Sequence, residues 1–177
     1  MIYLFLADGF EESEAIIPLD MMRRAGLDVR TVGVTGGTVT SSHGVGIVAD
    51  MTVDKAVGIP EAVILPGGMP GTKNLEASAG VQAMIDKVNS AGGIVAAICA
   101  APSVLGHRNL LSGRRAVCFP GWEKELYGAV VTEAKAVTDG NIVTARGAGA
   151  AFEFGAEIIA AVKDRETADK ILAQMQY

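Results

Sequence analysis

The sequence is poor in cysteine, with only Cys99 and Cys118 among 177 residues. Two cysteines are too few for the disulfide framework of a small secreted domain, so the predicted compartment is the reducing cytoplasm. No apolar stretch approaches the length of about 20 residues that crosses a bilayer. The apolar run at residues 2–7 lacks a preceding positive region and breaks at Asp8. It therefore predicts a first strand rather than a signal peptide or a membrane anchor.

Clusters of basic residues are also missing. The chain has 15 Lys and Arg against 20 Asp and Glu, a formal net charge of −5. This balance, without any Lys or Arg run, argues against a nucleic-acid partner or a basic membrane-binding surface. No group of residues has zinc-ligand spacing, and the glycine-rich segment 67–71 lacks the Lys-Ser/Thr of a phosphate-binding loop. We therefore expect neither a metal nor an organic cofactor.

Short apolar segments alternate with helical periodicity along almost the whole chain. Half of the residues are hydrophobic and 22 are glycine. The pattern predicts one doubly wound α/β domain over residues 1–177, with a mostly parallel sheet. The predicted strands are 2–7, 28–34, 39–40, 47–49, 62–65, 94–98, 115–118, 130–131, 136–138 and 142–144. The predicted helices are 11–25, 78–91, one beginning at Pro102, 150–162 and 164–175.

The stretch 92–102 places Cys99 between a strand and a helix. An apolar run ends at this cysteine, two alanines follow, and Pro102 suits the first turn of a helix. The nucleophile elbow of hydrolases uses the same construction. A helix N-terminus also lowers the pKa of a nearby thiol. The alternative is that Cys99 is a small buried hydrophobic residue, the usual fate of a free cysteine.

Several loops that follow predicted strands are expected to meet near Cys99, because the carboxyl ends of parallel strands share one edge of the sheet. One of them contains Gly67 and Gly68, whose backbone amides, with that of Ala100, would cradle a developing oxyanion or an oxidised sulfur. The alternative is that both glycines only supply positive φ angles in a tight turn.

Glu14 is the acidic residue predicted to point inward. It shares a helix face with Ile17, Pro18 and Met21, whereas Glu11 and Glu12 fit a solvated first turn. A buried carboxyl has a raised pKa, so Glu14 would donate a hydrogen bond to Cys99 or act as general acid and base.

The two histidines do not predict a Cys-His dyad. His107 lies about two helical turns beyond Cys99, roughly 12 Å along the axis. His43 lies in a polar turn. We expect both side chains at the surface.

Five motifs together resemble the DJ-1/PfpI superfamily, in its DJ-1 branch with the ThiJ/YajL-like proteins. They lie at residues 9–15, 22–26, 65–68, 96–102 and 145–154. The resemblance implies a flavodoxin-like three-layer sandwich and a homodimer. It also implies that Cys99 is a reactive, oxidation-prone cysteine, that Glu14 hydrogen-bonds it, and that Gly67, Gly68 and Ala100 are backbone donors around it.

The sequence departs from this family at three places. Phe119 stands where DJ-1 itself has a histidine, and His43 stands where it has an arginine, although Arg24 matches a second arginine. His107 does not directly follow the cysteine as in the PfpI branch, so peptidase activity is not expected. Proton transfer is then left to Glu14.

The resemblance, together with the pairing of Cys99 and Glu14, implies two possible functions. One is a cofactor-free, glyoxalase III-like or deglycase-like activity on methylglyoxal, glyoxal and their adducts, with Cys99 as nucleophile. The alternative is a non-enzymatic redox sensor or chaperone-like protein that works through oxidation of Cys99. Cys118 is expected to be a buried strand residue, with a resolving thiol as the alternative.

Overall fold

A seven-stranded sheet with helices on both faces forms the centre of the molecule, in a computed structural model that describes residues 1–177. The strands are β1 Ile2–Leu6, β2 Val29–Gly33, β3 Thr38–Thr40, β4 Gly46–Val48, β5 Met51–Thr52, β6 Ala62–Leu65, β7 Ile94–Ile98, β8 Arg115–Ala116, β9 Val130–Val131, β10 Ala136–Asp139 and β11 Ile142–Ala145. The helices are α1 Glu12–Arg24, α2 Gly71–Ala77, α3 Ala79–Ser90, α4 Pro102–His107, α5 Ala151–Val162 and α6 Arg165–Gln174. Short 3-10 turns cover Val53–Lys55, Glu123–Glu125 and Ala148–Ala150.

The strand order of the main sheet is β10-β11-β7-β6-β1-β2-β5. All of its neighbouring strands run parallel except β10 and β11, which form an antiparallel hairpin around Gly140. Two small ladders, β3-β4 and β8-β9, lie outside this sheet. The predicted three-layer α/β sandwich with a mostly parallel sheet is confirmed.

Alternating side chains of the central strands supply two separate hydrophobic cores. Ile2, Leu4 and Leu6 of β1 belong to the core that also includes residues of α1, α5 and α6. Tyr3 and Phe5 belong to the core shared with α2, α3 and α4. The cores contain 23 and 21 buried residues, so both faces of the sheet are shielded from water. None of the helices has the length and apolar character needed to span a membrane.

Side-chain caps fix the helix starts that the sequence indicates. The side chains of Ser78 and Asp164 accept hydrogen bonds from the third residue after each, which confirms the predicted starts of α3 and α6. Neither α2 nor β5 was predicted from the sequence. A seven-residue helix that begins with glycine and a two-residue edge strand are both too short to show a hydrophobic period.

The four central strands bring the predicted site loops to one edge. The loops after β1, β6, β7 and β11 follow adjacent strands, so they meet at the carboxyl end of the sheet. Backbone hydrogen bonds join neighbouring loops: the Glu11 N–H donates to the Gly67 carbonyl at 2.9 Å, and the Cys99 N–H donates to the Ala145 carbonyl at 2.9 Å.

The close packing of α4 against the 3-10 turn Glu123–Glu125 can be tested at Gly106. A Cβ at Gly106 would lie 2.0 Å from the Glu125 carbonyl oxygen and 2.8 Å from the Leu126 Cα. We expect Gly106→Ala to lower the free energy of unfolding by about 2 kcal/mol, because backbone must move to make room. Urea unfolding measures the loss. Gly37→Ala is the control, since nothing lies within 4 Å of its Cβ. Equal midpoints for the two variants would contradict the close contact.

Candidate active site

Cys99 adopts a left-handed backbone conformation at the end of β7. Its φ of 66° is one of three positive values among the non-glycine residues. Such a conformation costs on the order of 1 kcal/mol and persists only where neighbours impose it. Here the N–H of Cys99 donates to the Ala145 carbonyl, and its carbonyl accepts from the Phe119 N–H at 2.8 Å. The predicted strand, turn and helix around Cys99 are present, with the half-buried thiol in the turn.

Glu14 reaches this turn from the first part of α1. Its side chain points inward as predicted, and the residue is 1% exposed. One carboxyl oxygen accepts the Gly67 N–H at 2.9 Å, and the carboxyl lies beside the Cys99 side chain, since a Cβ at Gly67 would touch both groups. Burial raises the pKa of Glu14 to about 7, against the opposing effect of its interactions with Cys99 and with the Gly67 amide. Near neutral pH this carboxyl can therefore either give or take a proton.

The thiol of Cys99 is a weaker acid than its place before a helix suggests. Burial, followed by the negative charge of Glu14, raises the pKa of Cys99 to about 12, while the Gly68 and Ala100 amides act in the opposite direction. The lowering expected from the following helix is outweighed by the burial of the sulfur and by the charge of Glu14. Protonation of Glu14 removes the charge that opposes the thiolate. The thiolate is therefore favoured when the carboxyl holds the proton.

Gly67 and Gly68 have different roles in the loop after β6. A Cβ at Gly67 would lie 2.6 Å from the Cys99 Cβ and 2.7 Å from a Glu14 carboxyl oxygen, so glycine is needed for space. Gly68 has a φ of +89°. The alternative prediction, that these glycines supply positive φ angles in a tight turn, therefore holds for Gly68 and not for Gly67. The Gly67 amide is committed to Glu14 rather than to the sulfur. Of the three predicted donors, Gly68 and Ala100 face the cysteine.

An apolar pocket of about 200 Å³ lies over the cysteine. It is lined by Gly68, Met69, Cys99, Ala100, Phe119 and Trp122. Met69 and Trp122 were not predicted from the sequence, although Trp122 is the single tryptophan and follows a Pro-Gly turn next to Phe119. Phe119 also borders a second cavity of about 420 Å³ that includes Lys135 and Arg146.

The remaining candidates lie outside this pocket. The exposed His43 contacts the Glu12 carboxylate at 2.9 Å, and Arg24 pairs with Asp20 on the same helix. His107 is only partly at the surface, because it lies between two carboxylates. Cys118 is buried as predicted, and burial raises its pKa to about 11.

One group of side chains has atoms that could hold a cation. Ligand atoms of Glu11, Glu12 and His43 lie within 4.8 Å of one another. However, a Glu11 oxygen already caps α1 by accepting the Glu14 N–H at 2.8 Å, and Glu12 pairs with His43. These contacts account for the cluster without an ion.

The raised pKa of Glu14 predicts how stability depends on pH. Between about pH 4.5 and 7 the folded protein holds this proton while the unfolded chain has lost it, so stability falls as pH rises. The free energy of unfolding lost over this whole pH range is roughly 3 kcal/mol, because each tenfold change in an acid dissociation constant corresponds to about 1.4 kcal/mol. We expect Glu14→Gln to raise the free energy of unfolding at pH 8 by about 2 kcal/mol, because the buried amide offsets part of the gain.

Urea unfolding at pH 8 and at pH 4 measures this effect, and the gain should disappear at the lower pH. Glu12→Gln is the matched control on the same helix, because hydrogen bonding to its own backbone lowers the pKa of Glu12. A stability gain for Glu12→Gln but not for Glu14→Gln would contradict the assignment of the buried carboxyl.

Comparison with known proteins places this chain in a family. Residues 1–161 match the sequence profile of the DJ-1/PfpI family. The "Protein dj-1beta" of Drosophila melanogaster is 35% identical over 172 residues, which cover 95% of this chain and 92% of that protein. "Deglycase PH1704" of Pyrococcus horikoshii is 34% identical over 149 residues, 81% of this chain and 88% of the relative. The structure "Toxoplasma gondii DJ-1, oxidized" superposes with a TM-score of 0.93 at 32% identity, covering 99% of this chain and 97% of that one. With this match over most of its length, the chain belongs to the DJ-1/PfpI family.

Proposed function

We propose that the protein is a cofactor-free enzyme of carbonyl stress, with glyoxalase III-like or deglycase-like activity on methylglyoxal, glyoxal and their early adducts. The observation that carries the proposal is the close placement of the buried Glu14 carboxyl and the Cys99 side chain, both next to Gly67, with a small pocket over the cysteine. The named activity of the Pyrococcus relative supports the same chemistry.

The reaction begins with attack of the Cys99 sulfur on the aldehyde carbon of methylglyoxal. Glu14 takes the thiol proton and returns it to the oxygen of the hemithioacetal, while the Gly68 and Ala100 amides stabilise the developing oxyanion. Glu14 next removes the proton on the former aldehyde carbon and delivers it to the neighbouring carbon. Because the hydroxyl proton of the hemithioacetal passes to the ketone oxygen at the same time, the product is a lactoyl thioester. Water hydrolyses the thioester, so the sum is methylglyoxal plus water giving lactate, with the cysteine regenerated.

The dimensions and walls of the pocket fit a small aldehyde. Its volume of about 200 Å³ is below the 300–1,000 Å³ usual for drug-sized ligands. Met69, Phe119 and Trp122 provide its apolar walls. Because Phe119 is 47% exposed, movement of its ring would admit larger adducts.

We also propose that the protein works as a cytoplasmic homodimer. Apolar side chains are exposed on α1 and on the β3-β4 hairpin, namely Ile16, Val45 and Val48. Val48 is the most exposed of them, at 79%. A second copy that covers these residues would remove them from water.

Direct measurement of lactate tests the enzymatic function. Fully reduced protein incubated with methylglyoxal should release lactate, and Cys99→Ser should release none above the uncatalysed background. Glu14→Gln should lower the rate by about 100-fold or more, since the internal general base is lost. Cys118→Ser is the matched control and should keep the activity. Lactate formation by Cys99→Ser at the native rate would rule out the proposed nucleophile.

The second candidate function is redox sensing through Cys99. The half-buried sulfur lies beside two backbone amides and a carboxyl that can hold a proton, which are suitable donors to a sulfinate. The Toxoplasma gondii relative is a DJ-1 protein in an oxidised form, which supports this candidate.

Mass spectrometry after mild peroxide treatment tests this candidate. We expect a selective gain of two oxygen atoms at Cys99 and none at the buried Cys118, and we expect Glu14→Gln to reduce the yield of the two-oxygen product. Equal oxidation of the two cysteines, or no product at Cys99, would count against a sensor.

A further inference from the structure

Three separate segments form the walls of the Cys99 pocket, and each leads directly into a short helix or turn. Gly68 and Met69 precede α2, Cys99 and Ala100 precede α4, and Phe119 and Trp122 precede the turn Glu123–Glu125. Every wall of the pocket is therefore fixed by how these three short elements sit against one another.

His107, the last residue of α4, contacts the other two elements at the same time. Its Nδ1 lies 2.5 Å from a carboxyl oxygen of Glu76 on α2, and its Nε2 lies 2.9 Å from a carboxyl oxygen of Glu125. The imidazole also packs against the Tyr127 ring, with 5.1 Å between ring centres. We name His107, Glu76 and Glu125 the histidine clasp.

The clasp can make both hydrogen bonds only when the imidazole is charged. Each ring nitrogen faces a carboxylate, which accepts but does not donate, so both nitrogens must carry a proton. A neutral imidazole has one N–H and turns a lone pair towards the second carboxylate. The nearby Arg108 does not neutralise either glutamate, because its guanidinium is engaged with Asp86 and Gln82. The hydrogen bond to Glu76 is the largest effect on the pKa of His107, and it raises that pKa. Burial comes next and lowers the pKa, and the hydrogen bond to Glu125 raises it again.

Continuous hydrogen bonding connects the clasp to the pocket. In α2 the Thr72 N–H donates to the Gly68 carbonyl at 2.9 Å, so the helix that carries Glu76 is joined to the glycine loop. On the other side, the Trp122 N–H donates to the Phe119 carbonyl at 3.1 Å, and the Glu125 N–H donates to the Trp122 carbonyl at 3.0 Å. A displacement of either glutamate is thus carried to a wall of the pocket.

We propose that His107 is a positioning residue for the Cys99 pocket: the imidazolium holds the three walls together, and its deprotonation releases one carboxylate and widens the pocket. The clasp is complete below the ordinary histidine pKa and is lost as pH rises through the raised value in the folded protein. Such a role concerns the shape of the pocket and is independent of the proposed reaction.

Alkylation of Cys99 by two reagents of different size tests the proposal. Iodoacetamide is small and N-phenylmaleimide is bulky, and both react with the same thiolate. The ratio of their rates at Cys99, measured by mass spectrometry of the peptide, therefore cancels the thiolate fraction and the effect of Glu14 on it. Between about pH 6 and 9 we expect the bulky reagent to gain severalfold relative to the small one as His107 loses its proton.

Two variants separate the clasp from other causes of pH dependence. In Glu125→Gln the amide N–H₂ donates to a neutral ring nitrogen, so both contacts survive deprotonation and the ratio should stay low at every pH. In His107→Leu the clasp is absent, so the ratio should be high at every pH. His43→Asn is the matched control and should keep the native profile.

Proton NMR gives a readout that does not use the pocket. The chain has only two histidines, so His43→Asn leaves one imidazole whose titration reports His107 directly. We expect its pKa above the ordinary value of about 6.5. Any one of three results would overturn the proposal: a ratio of alkylation rates that does not change with pH in the native protein, a native pH profile in Glu125→Gln, or a His107 pKa at or below the ordinary value. If His107→Leu fails to fold, Glu125→Gln and the NMR titration still decide it. Lactate production enters none of these measurements.

Discussion

The placement of the buried Glu14 carboxyl beside the Cys99 thiol is the constraint on which the rest of the site depends. A carboxyl that almost no water reaches has a raised pKa, and its negative charge in turn raises the pKa of the neighbouring thiol. The surrounding residues accommodate that pair. Gly67 has no side chain because one would overlap both groups, and its amide holds the carboxyl in place.

The parallel sheet explains how residues so far apart in the chain reach one point. The strand order places β7 between β6 and β11, with β1 next to β6, so four loops from distant parts of the sequence end side by side. Two hydrophobic cores hold these strands from opposite faces. This rigid support allows Cys99 to keep a backbone conformation that an isolated turn would relax.

Much of this arrangement could be predicted from the sequence because it depends on local periodicity. Short apolar runs indicated the strands of the sheet, and helical hydrophobic periodicity indicated the main helices and the inward face of Glu14. The sign of the Cys99 pKa change could not be predicted, because it depends on how deeply the sulfur is buried and on how close the Glu14 charge lies, and only the structure reveals both. The separate roles of Gly67 and Gly68, and the contacts of His107 with Glu76 and Glu125, depend on distances between segments that no spacing along the chain encodes.

The left-handed Cys99 and the buried Glu14 have the same consequence for the stability of the fold. Each lowers the stability of the folded state at neutral pH, one through backbone strain and the other through a desolvated charge. Glutamine at position 14 would remove the buried charge, whereas at position 99 only glycine would relieve the backbone strain. The two hydrophobic cores must therefore supply the stability that these two residues take away.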